Sequence, residues 1–326
     1  MINRRRLIGL SAASALAPGW LRRPALAQEH WPNRFVRMIV PYAPGGPTDV
    51  IARVIADRLA QIWGQQVVIE NRGGGGGNIA AEIVARSDPD GYTMFMSGAS
   101  LAVNRNFYRT LSYDPIADFA PVTLICSFSF FMFVPNSSPA RSVREFIAHA
   151  ASNKGKLTFA SPGAGTAPHL CAELFTQTAG IEMTHVPYRG AGPAMNDLIP
   201  GRLDLLFSGG ATYHYAKSGQ VRALGVSGAK RIPSAPDVPT IAEAALPGFE
   251  VSSWFAFFAP ARTPAGIVRK MNADCAAALA DPAVKGRLEQ IGYEVASSSP
   301  EELGHLLKAE IDKWGVVIKR AGIRIE

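Results

Sequence analysis

Uncharged hydrogen-bond donors dominate the glycine-rich segments of this sequence. One segment, Pro41-Tyr42-Ala43-Pro44-Gly45-Gly46-Pro47-Thr48-Asp49, lies between an apolar run at 36–40 and a longer run at 50–63. A strand that breaks at a glycine pair and then enters a helix leaves several backbone N–H groups unpaired, and the helix dipole favours an anion there. No lysine follows the glycines, so this is not a phosphate-binding P-loop. We interpret it as a seat for a carboxylate, with a plain turn without a ligand as the alternative.

Further polar, glycine-containing turns follow predicted strands, at 73–78, 98–100, 161–166, 188–190 and 208–212. In open α/β sheets ligands bind beyond the carboxyl ends of the strands, so these turns are expected to face one cleft. No catalytic residue and no metal ligand is predicted. The residues predicted to bind the ligand are Tyr42, Ala43, Gly45, Gly46, Thr48, Asp49, Asn78, Gly98, Ala99, Ser100, Ser161, Gly163, Gly165, Thr166, His169, Tyr188 and Gly190.

Catalytic and cofactor signatures are weak. The sequence contains neither Gly-x-Ser-x-Gly nor His-Glu-x-x-His. Gly75-Gly76-Gly77-Asn78-Ile79-Ala80 fits a dinucleotide fingerprint, but the acidic residue expected about 20 positions later is missing, so no cofactor is predicted. A hydrolytic α/β enzyme is the competing hypothesis, for which Ser161 or Ser100 near His169 would be the pair to test.

Two residues of the first helix have a spacing that favours a structural role. Asp49 and Arg53 are four positions apart, which allows an ion pair that holds the glycine turn in place.

The N-terminus predicts export to the periplasm. Arg4, Arg5 and Arg6 precede an uncharged segment at 7–21 and the small-x-small sequence Ala25-Leu26-Ala27. This is the pattern of a signal peptide over residues 1–27, cleaved after Ala27. General secretion and the twin-arginine route both fit.

Most of the excess of basic over acidic residues lies in residues 1–27. The chain of 326 residues has 33 Lys and Arg against 26 Asp and Glu, and five of the arginines lie in residues 1–27, where no acidic residue occurs. The remainder therefore carries 28 basic against 26 acidic residues, and a nucleic-acid partner is not expected. The three cysteines, Cys126, Cys171 and Cys275, form no Cys-x-x-Cys and are interpreted as buried thiols, with one bridged pair as the alternative.

Alternating strand and helix patterns predict an α/β fold with two similar lobes. Each lobe is expected to contain a mostly parallel sheet flanked by helices, and crossing strands form a hinge. The first lobe is assigned to residues 28–130 plus 254–326 and the second to 131–253. The predicted strands are 36–41, 66–71, 92–97, 157–160, 182–186, 203–207, 221–226 and 251–258. The predicted helices are 48–63, 78–86, 143–151, 168–178, 193–199, 212–217, 267–279, 281–291 and 300–320.

Several motifs follow one another along the chain: Val40-Pro41-Tyr42-Ala43-Pro44-Gly45-Gly46 with Asp49 and Ala52-Arg53, Glu70-Asn71-Arg72 with its glycine run and Asn78, Asp88-Pro89-Asp90-Gly91-Tyr92, Ser161-Pro162-Gly163-Ala164-Gly165-Thr166 with His169, His185-Val186-Pro187-Tyr188-Arg189-Gly190, Ala229-Lys230-Arg231 with Pro239-Thr240, and Ser253-Trp254-Phe255. In this order they resemble the solute-binding receptors of tripartite tricarboxylate transporters, the Bug receptors. The resemblance covers essentially the whole chain after residue 27.

The resemblance implies a type II periplasmic binding protein, in which two lobes close on a small carboxylate and deliver it to a two-component integral membrane permease. It also implies that the amides of the first glycine turn hold the carboxylate, often through ordered waters. Two departures from the family's sequence pattern concern the residues expected near the distal, specificity-setting end of the ligand. The run 73–77 is all glycine, and Phe207-Ser208-Gly209-Gly210 stands where the family often has Asp or Asn.

We therefore expect a periplasmic, monomeric, non-enzymatic receptor for a small organic acid. Mono-, di- and tricarboxylates, aromatic acids and amino acids all stay open as ligands. A ligand-binding sensory module for a membrane kinase is a further alternative, because it would use the same two-lobed clamp.

Overall fold

The computed structural model describes residues 31–321. The predicted signal peptide at 1–27 lies outside these residues. Within them, every helix is too short or too polar to cross a membrane. Cys126, Cys171 and Cys275 are buried, unbridged thiols.

Strands and helices alternate along most of the described chain. The strands are β1 (Val36–Val40), β2 (Val67–Asn71), β3 (Thr93–Gly98), β4 (Phe119–Ser129), β5 (Phe131–Pro135), β6 (Thr158–Ser161), β7 (Thr184–Pro187), β8 (Leu205–Ser208), β9 (Val221–Val226), β10 (Ser252–Pro260) and β11 (Glu294–Val295). The helices are α1 (Pro47–Trp63), α2 (Asn78–Ala85), α3 (Ala99–Phe107), α4 (Val143–Ser152), α5 (Ala167–Ala179), α6 (Ala191–Leu198), α7 (His214–Lys217), α8 (Ile241–Ala244), α9 (Ala265–Ala280), α10 (Pro282–Gln290) and α11 (Pro300–Ala321).

The strands form two sheets. The first sheet has six strands in the order β11-β4-β10-β3-β1-β2, and the second has five in the order β7-β6-β8-β5-β9. The α/β fold class is confirmed, with one refinement: both sheets are mixed rather than mostly parallel. In the first sheet β1 pairs in parallel with β2 and β3, whereas β10 is antiparallel to β3 and β4. In the second sheet β5 is antiparallel to β8 and β9.

The antiparallel pairings come from the segments that connect the two sheets. β4 ends at Ser129 in the first sheet and β5 begins at Phe131 in the second, so the chain passes between the sheets at Phe130. The chain returns to the first sheet after Ser227 and enters it at β10. The Ser227 carbonyl accepts a 2.8 Å hydrogen bond from the Val251 N–H, just before β10. A strand that enters a sheet from the other side of the molecule has no helical crossover, so nothing forces it to be parallel. The lobe boundaries at 130/131 and 253/254 stay predictions.

The parallel part of each sheet positions the glycine turns. β1, β6 and β8 each lead through a glycine-containing turn into a helix or a helical turn, and β3 passes at Gly98 directly into α3. Their side chains are almost entirely buried, as expected for strands that are covered by helices on both faces. The carboxyl ends of strands from both sheets therefore point at the same region of the molecule.

Candidate functional site

A narrow cavity of about 40 Å³ lies between the two sheets, where these strands end. It is lined by residues of both sheets and of the segments that connect them: Tyr42, Gly46, Pro47, Thr48, Gly98, Ala99, Ser100, Phe128, Phe130, Pro162, Ala167, Pro168, Ala191, Ser208, Gly209, Ser253 and Phe255. None of these lining residues carries a charged side chain.

The beginning of α1 forms one end of the cavity. Gly46 is its N-cap residue and makes no side-chain cap, and Pro47 occupies the first turn without an N–H group. The next N–H groups, of Thr48 and Asp49, have no partner within the helix, as in the first turn of any α-helix. This helix start therefore offers donors and the positive end of a helix dipole to a bound group.

Three more helices begin at the same cavity. Ala99 and Ser100 begin α3, Ala167 and Pro168 begin α5, and Ala191 begins α6. Like α1, none of these three helices has a side-chain cap at its N-terminus. Among the helices away from the cavity, α4 is capped by Ser142 and α10 by Asp281, whereas α2 and α9 also have no side-chain cap.

The convergence of four uncapped helix N-termini at the cavity favours the binding of an anion there. Each helix N-terminus is equivalent to about half a positive charge. Most of the lining residues are buried, and such surroundings strengthen the effect of these dipoles on a small bound anion.

Hydroxyl groups complete the polar part of the lining. The Tyr42 hydroxyl and Ser100 Oγ are 2.9 Å apart and share a hydrogen bond. Burial raises the pKa of Tyr42 to about 12, so this phenol stays neutral. Ser208 Oγ is buried without a hydrogen-bond partner, although its residue lines the cavity. A buried hydroxyl is normally paired, so Ser208 is a strong candidate for contact with a ligand.

Part of the lining is aromatic. Phe128 and Phe255 stack with ring centroids 4.7 Å apart, and Phe130 meets Phe128 edge-on at 5.4 Å. Phe255 pairs in register with Gly98, the residue that precedes α3. We call Phe128, Phe130 and Phe255 the aromatic wall.

A network of ion pairs and hydrogen bonds holds the first glycine turn. The Asp49 carboxylate receives 2.9 and 3.0 Å hydrogen bonds from Arg53, as the spacing predicted, and also accepts from the Gly45 N–H at 3.1 Å and from the Asn71 amide at 2.9 Å. Burial raises the pKa of Asp49, but these hydrogen bonds outweigh it and hold the pKa below its ordinary value. Asp49 therefore stays charged and holds the first glycine turn in place.

The segments around the two sheets touch beside the cavity. The Ala43 N–H donates to the Arg189 carbonyl at 2.8 Å, and the Tyr108 hydroxyl donates to the Ala164 carbonyl at 3.0 Å. Gly76 lies directly against Ala164. The cavity is thus enclosed by contacts between the two halves of the chain.

Only some of the predicted ligand-binding residues line this cavity: Tyr42, Gly46, Thr48, Gly98, Ala99 and Ser100. The others lie outside its lining, and their predicted contact with the ligand stays a prediction: Ala43, Gly45, Asp49, Asn78, Ser161, Gly163, Gly165, Thr166, His169, Tyr188 and Gly190. Most of them hold the turns in shape or join the two halves. Asn78, for example, accepts hydrogen bonds from Asn104 at 2.7 Å and Tyr113 at 2.6 Å.

The Ser161 hydroxyl, which was considered as the nucleophile of a hydrolase, makes hydrogen bonds outside the cavity. The histidine that lies within hydrogen-bond distance of Ser161 Oγ is His185, at 2.7 Å through Nε2, rather than His169. Ser161 Oγ also contacts the backbone of Gly163. Ser161 is fully buried and outside the cavity lining. His169 instead accepts from the Gly165 N–H through Nδ1, and its ring lies beside the His185 ring with the centroids 4.1 Å apart.

Several lining residues were not among those predicted from the sequence: Pro47, Phe128, Phe130, Pro162, Ala167, Pro168, Ala191, Ser208, Gly209, Ser253 and Phe255. Pro47, Pro162, Ser208 and Gly209 belong to turns that the sequence analysis did assign to the cleft, so a signal for them was present. The aromatic wall had no such signal, because its residues come from β4, β10 and the crossing between the sheets.

Comparison with known proteins agrees with this architecture. The profile described as tripartite tricarboxylate transporter family receptor matches residues 51–323. A Pseudomonas sp. (strain P51) protein, named UPF0065 protein in tcbD-tcbE intergenic region, is 40% identical over 319 residues, which cover 97% of this chain and 94% of the relative.

Two solved structures share the fold over nearly their whole length. The periplasmic binding protein BugD superposes with a TM-score of 0.88 at 35% identity, covering 91% of this chain and 100% of BugD. The R. palustris protein Rpa4515, solved with adipate, superposes with a TM-score of 0.87 at 40% identity, covering 90% of this chain and 99% of that protein.

Proposed function

Because this chain belongs to the tripartite tricarboxylate transporter receptor family, we propose that it captures a small organic carboxylate in the periplasm and delivers it to a two-component membrane permease. The ligand binds in the cavity between the two sheets and leaves it chemically unchanged. The family relationship supports solute binding, and the residues of this chain support the class of solute.

One observation carries the proposal that the solute is a carboxylate. Four helix N-termini without side-chain caps, those of α1, α3, α5 and α6, begin at one cavity that holds no charged side chain. Neutral N–H and hydroxyl donors bind a carboxylate without a formal countercharge, so binding does not depend on breaking an ion pair when the ligand leaves. This property suits a receptor that must release its ligand.

Two features support the cellular setting. The sequence of residues 1–27 has the pattern of a cleavable signal peptide. The family is described as the receptor of a transporter, and a receptor that delivers a solute to a transporter needs a membrane partner to move that solute inward.

The same geometry supports a non-enzymatic role. A hydrolase needs a nucleophile next to a base and open to the substrate. In the described residues the Ser161–His185 pair is close enough, but Ser161 is fully buried and lies outside the cavity.

The test is a thermal-shift screen of organic acids on the protein without residues 1–27, followed by calorimetry of the acids that stabilise it. A ligand that binds the folded state raises the melting temperature by mass action. Matched alcohols or amides without the carboxylate are the controls and should produce no shift. The proposal fails if no acid stabilises the protein, or if a bound acid is converted into a product.

A further inference from the structure

Three residues of the cavity lining carry hydroxyl groups without a partner in the protein. Thr48, Ser208 and Ser253 are 4%, 1% and 5% exposed, and within residues 31–321 none of their hydroxyls forms a hydrogen bond. The other two hydroxyls of the lining, those of Tyr42 and Ser100, pair with each other at 2.9 Å. Buried hydroxyls are normally paired, so three unpaired ones at one cavity indicate that a bound molecule pairs with them.

These hydroxyls lie among the aromatic side chains of the lining. Ser253 and Phe255 belong to the same face of β10, about 7 Å apart along the strand, and Ser253 pairs in register with Phe128 of β4. Gly209, which follows Ser208, lies against the Phe128 ring, with 3.3 Å from a β-carbon position on Gly209 to the nearest ring atom. The body of a bound acid therefore meets aromatic rings and hydroxyls together.

The carboxylate of the ligand does not need these hydroxyls. An ionised carboxylate has about four lone-pair sites. Two free N–H groups from each of two helix starts would fill these sites, and four helix starts without side-chain caps reach the cavity. The three hydroxyls are therefore left for other atoms of the ligand.

A hydroxyl group on the ligand matches this requirement. A serine or threonine hydroxyl has one donor and two acceptor sites, whereas a backbone N–H only donates. An alcohol also donates and accepts, and it is neutral, as is every side chain of the lining. A hydrocarbon group in the same place would leave the protein hydroxyls buried without partners, which is unfavourable.

Resting on the function proposed above, we propose that this receptor prefers carboxylic acids that carry a hydroxyl group near the carboxylate over the same acids without that hydroxyl. The carboxylate lies at the helix starts, and the ligand hydroxyl pairs with the hydroxyls of Thr48, Ser208 and Ser253. Because Thr48 belongs to the α1 start that receives the carboxylate, the ligand hydroxyl lies on C2 or C3 of the acid.

Matched pairs of acids test this preference. Lactate and propionate, 3-hydroxybutyrate and butyrate, and malate and succinate each differ only in that one hydrogen atom on carbon is replaced by a hydroxyl. The third pair has two carboxylates, so the comparison does not depend on their number. Calorimetry on the protein without residues 1–27 should show, in at least one pair, that the hydroxy acid binds roughly tenfold more tightly than its counterpart.

Two variants test the serine hydroxyls. Ser208→Ala and Ser253→Ala should each reduce the preference for the hydroxy acid several-fold, because only the hydroxy acid loses a partner for its hydroxyl. Thr263→Val is the matched control, since the Thr263 hydroxyl is also buried without a partner but lies outside the cavity lining. It should leave both affinities unchanged. Melting temperatures should show that all three variants fold.

The outcomes separate the two proposals. If propionate, butyrate and succinate bind as tightly as their hydroxylated counterparts, the preference is wrong and the carboxylate receptor stands. A preference that is the same in the wild type and in both serine variants would also contradict the role of these hydroxyls. If no carboxylic acid binds, the receptor function fails and this inference fails with it.

Discussion

Gly76 and Ala164, which lie beside the cavity, pack so closely that a β-carbon on Gly76 would overlap the carbonyl oxygen of Ala164. Gly76 belongs to the glycine run after β2, whereas Ala164 belongs to the turn after β6 in the other sheet. The same carbonyl accepts the hydrogen bond from Tyr108. A glycine at position 76 is therefore required for the two halves to come together at this point.

The first prediction concerns Gly76→Ala. The added methyl group should hold the halves apart and weaken acid binding by at least roughly tenfold, which is about 1.4 kcal/mol, while the protein still folds. Calorimetry measures the affinity, and small-angle scattering in the presence of the acid should show a more open particle than the wild type.

Gly155→Ala is the matched control for this variant. Gly155 has a positive φ of 70°, close to the 61° of Gly76, but a β-carbon there meets no neighbouring atom within 4 Å. Gly155→Ala carries a similar backbone strain without a contact between the two halves of the chain. An equal loss of affinity in both variants would show that strain, not blocked closure, is responsible.

The second prediction concerns Ser208→Ala. Because the Ser208 hydroxyl is buried without a partner in the protein, its removal should leave the free energy of unfolding nearly unchanged. Loss of a hydrogen bond to the ligand should weaken acid binding by about 1 kcal/mol. Chemical denaturation and calorimetry on the same variant measure the two effects.

Ser161→Ala provides the comparison for Ser208→Ala. Ser161 Oγ is bonded to His185 and to Gly163, so this variant should lose stability by about 1–3 kcal/mol. Unchanged affinity in Ser208→Ala would remove Ser208 from the binding site.

The start of α1 illustrates how far the sequence predicts this structure. Glycine followed by Pro47, Thr48 and Asp49 indicated a helix start after a strand, and α1 begins at Pro47, one residue before the predicted position. A similar local signal marked the start of α5, whereas α3 was not predicted and its first residues were assigned to a turn at 98–100. Helix starts are readable because the residue types that favour them act within a few positions along the chain.

The aromatic wall could not be predicted from local sequence signals. Residues 119–135 form β4 and β5, but the sequence analysis assigned no element there. A nearly continuous apolar run has no period that shows where one strand ends and the next begins. The contact of Phe255 with Gly98 depends on the antiparallel register of β10 and β3, which joins residues more than 150 positions apart along the chain.

The third prediction concerns Asp49→Ala. Without the carboxylate, the Gly45 N–H, the Asn71 amide and Arg53 lose their common acceptor. The variant should lose roughly 1–3 kcal/mol of stability, and acid binding should weaken because the turn at Gly46 is no longer fixed. Chemical denaturation and calorimetry measure both.

Glu82→Ala is the control for Asp49→Ala. Glu82 forms an ion pair with Arg86 at the same spacing, but the Arg86 side chain is 69% exposed. Its loss should change the free energy of unfolding by less than about 0.5 kcal/mol. If Asp49→Ala changed stability no more than Glu82→Ala, the network would have no structural role.

The fourth prediction concerns His185 and acid. Burial, with a smaller contribution from the adjacent His169, lowers the pKa of His185 from 6.5 to about 3. Between these two values the unfolded chain binds a proton that the folded protein does not, so the free energy of unfolding falls as the pH falls from about 6.5 towards 3. Melting temperatures over this range should therefore decrease less steeply in His185→Gln than in the wild type. His305→Gln, at an exposed position of α11, is the control and should follow the wild-type profile. Parallel profiles of the wild type and His185→Gln would show that His185 titrates alike in the folded and unfolded chain, and that its burial beside Ser161 and His169 does not control acid stability.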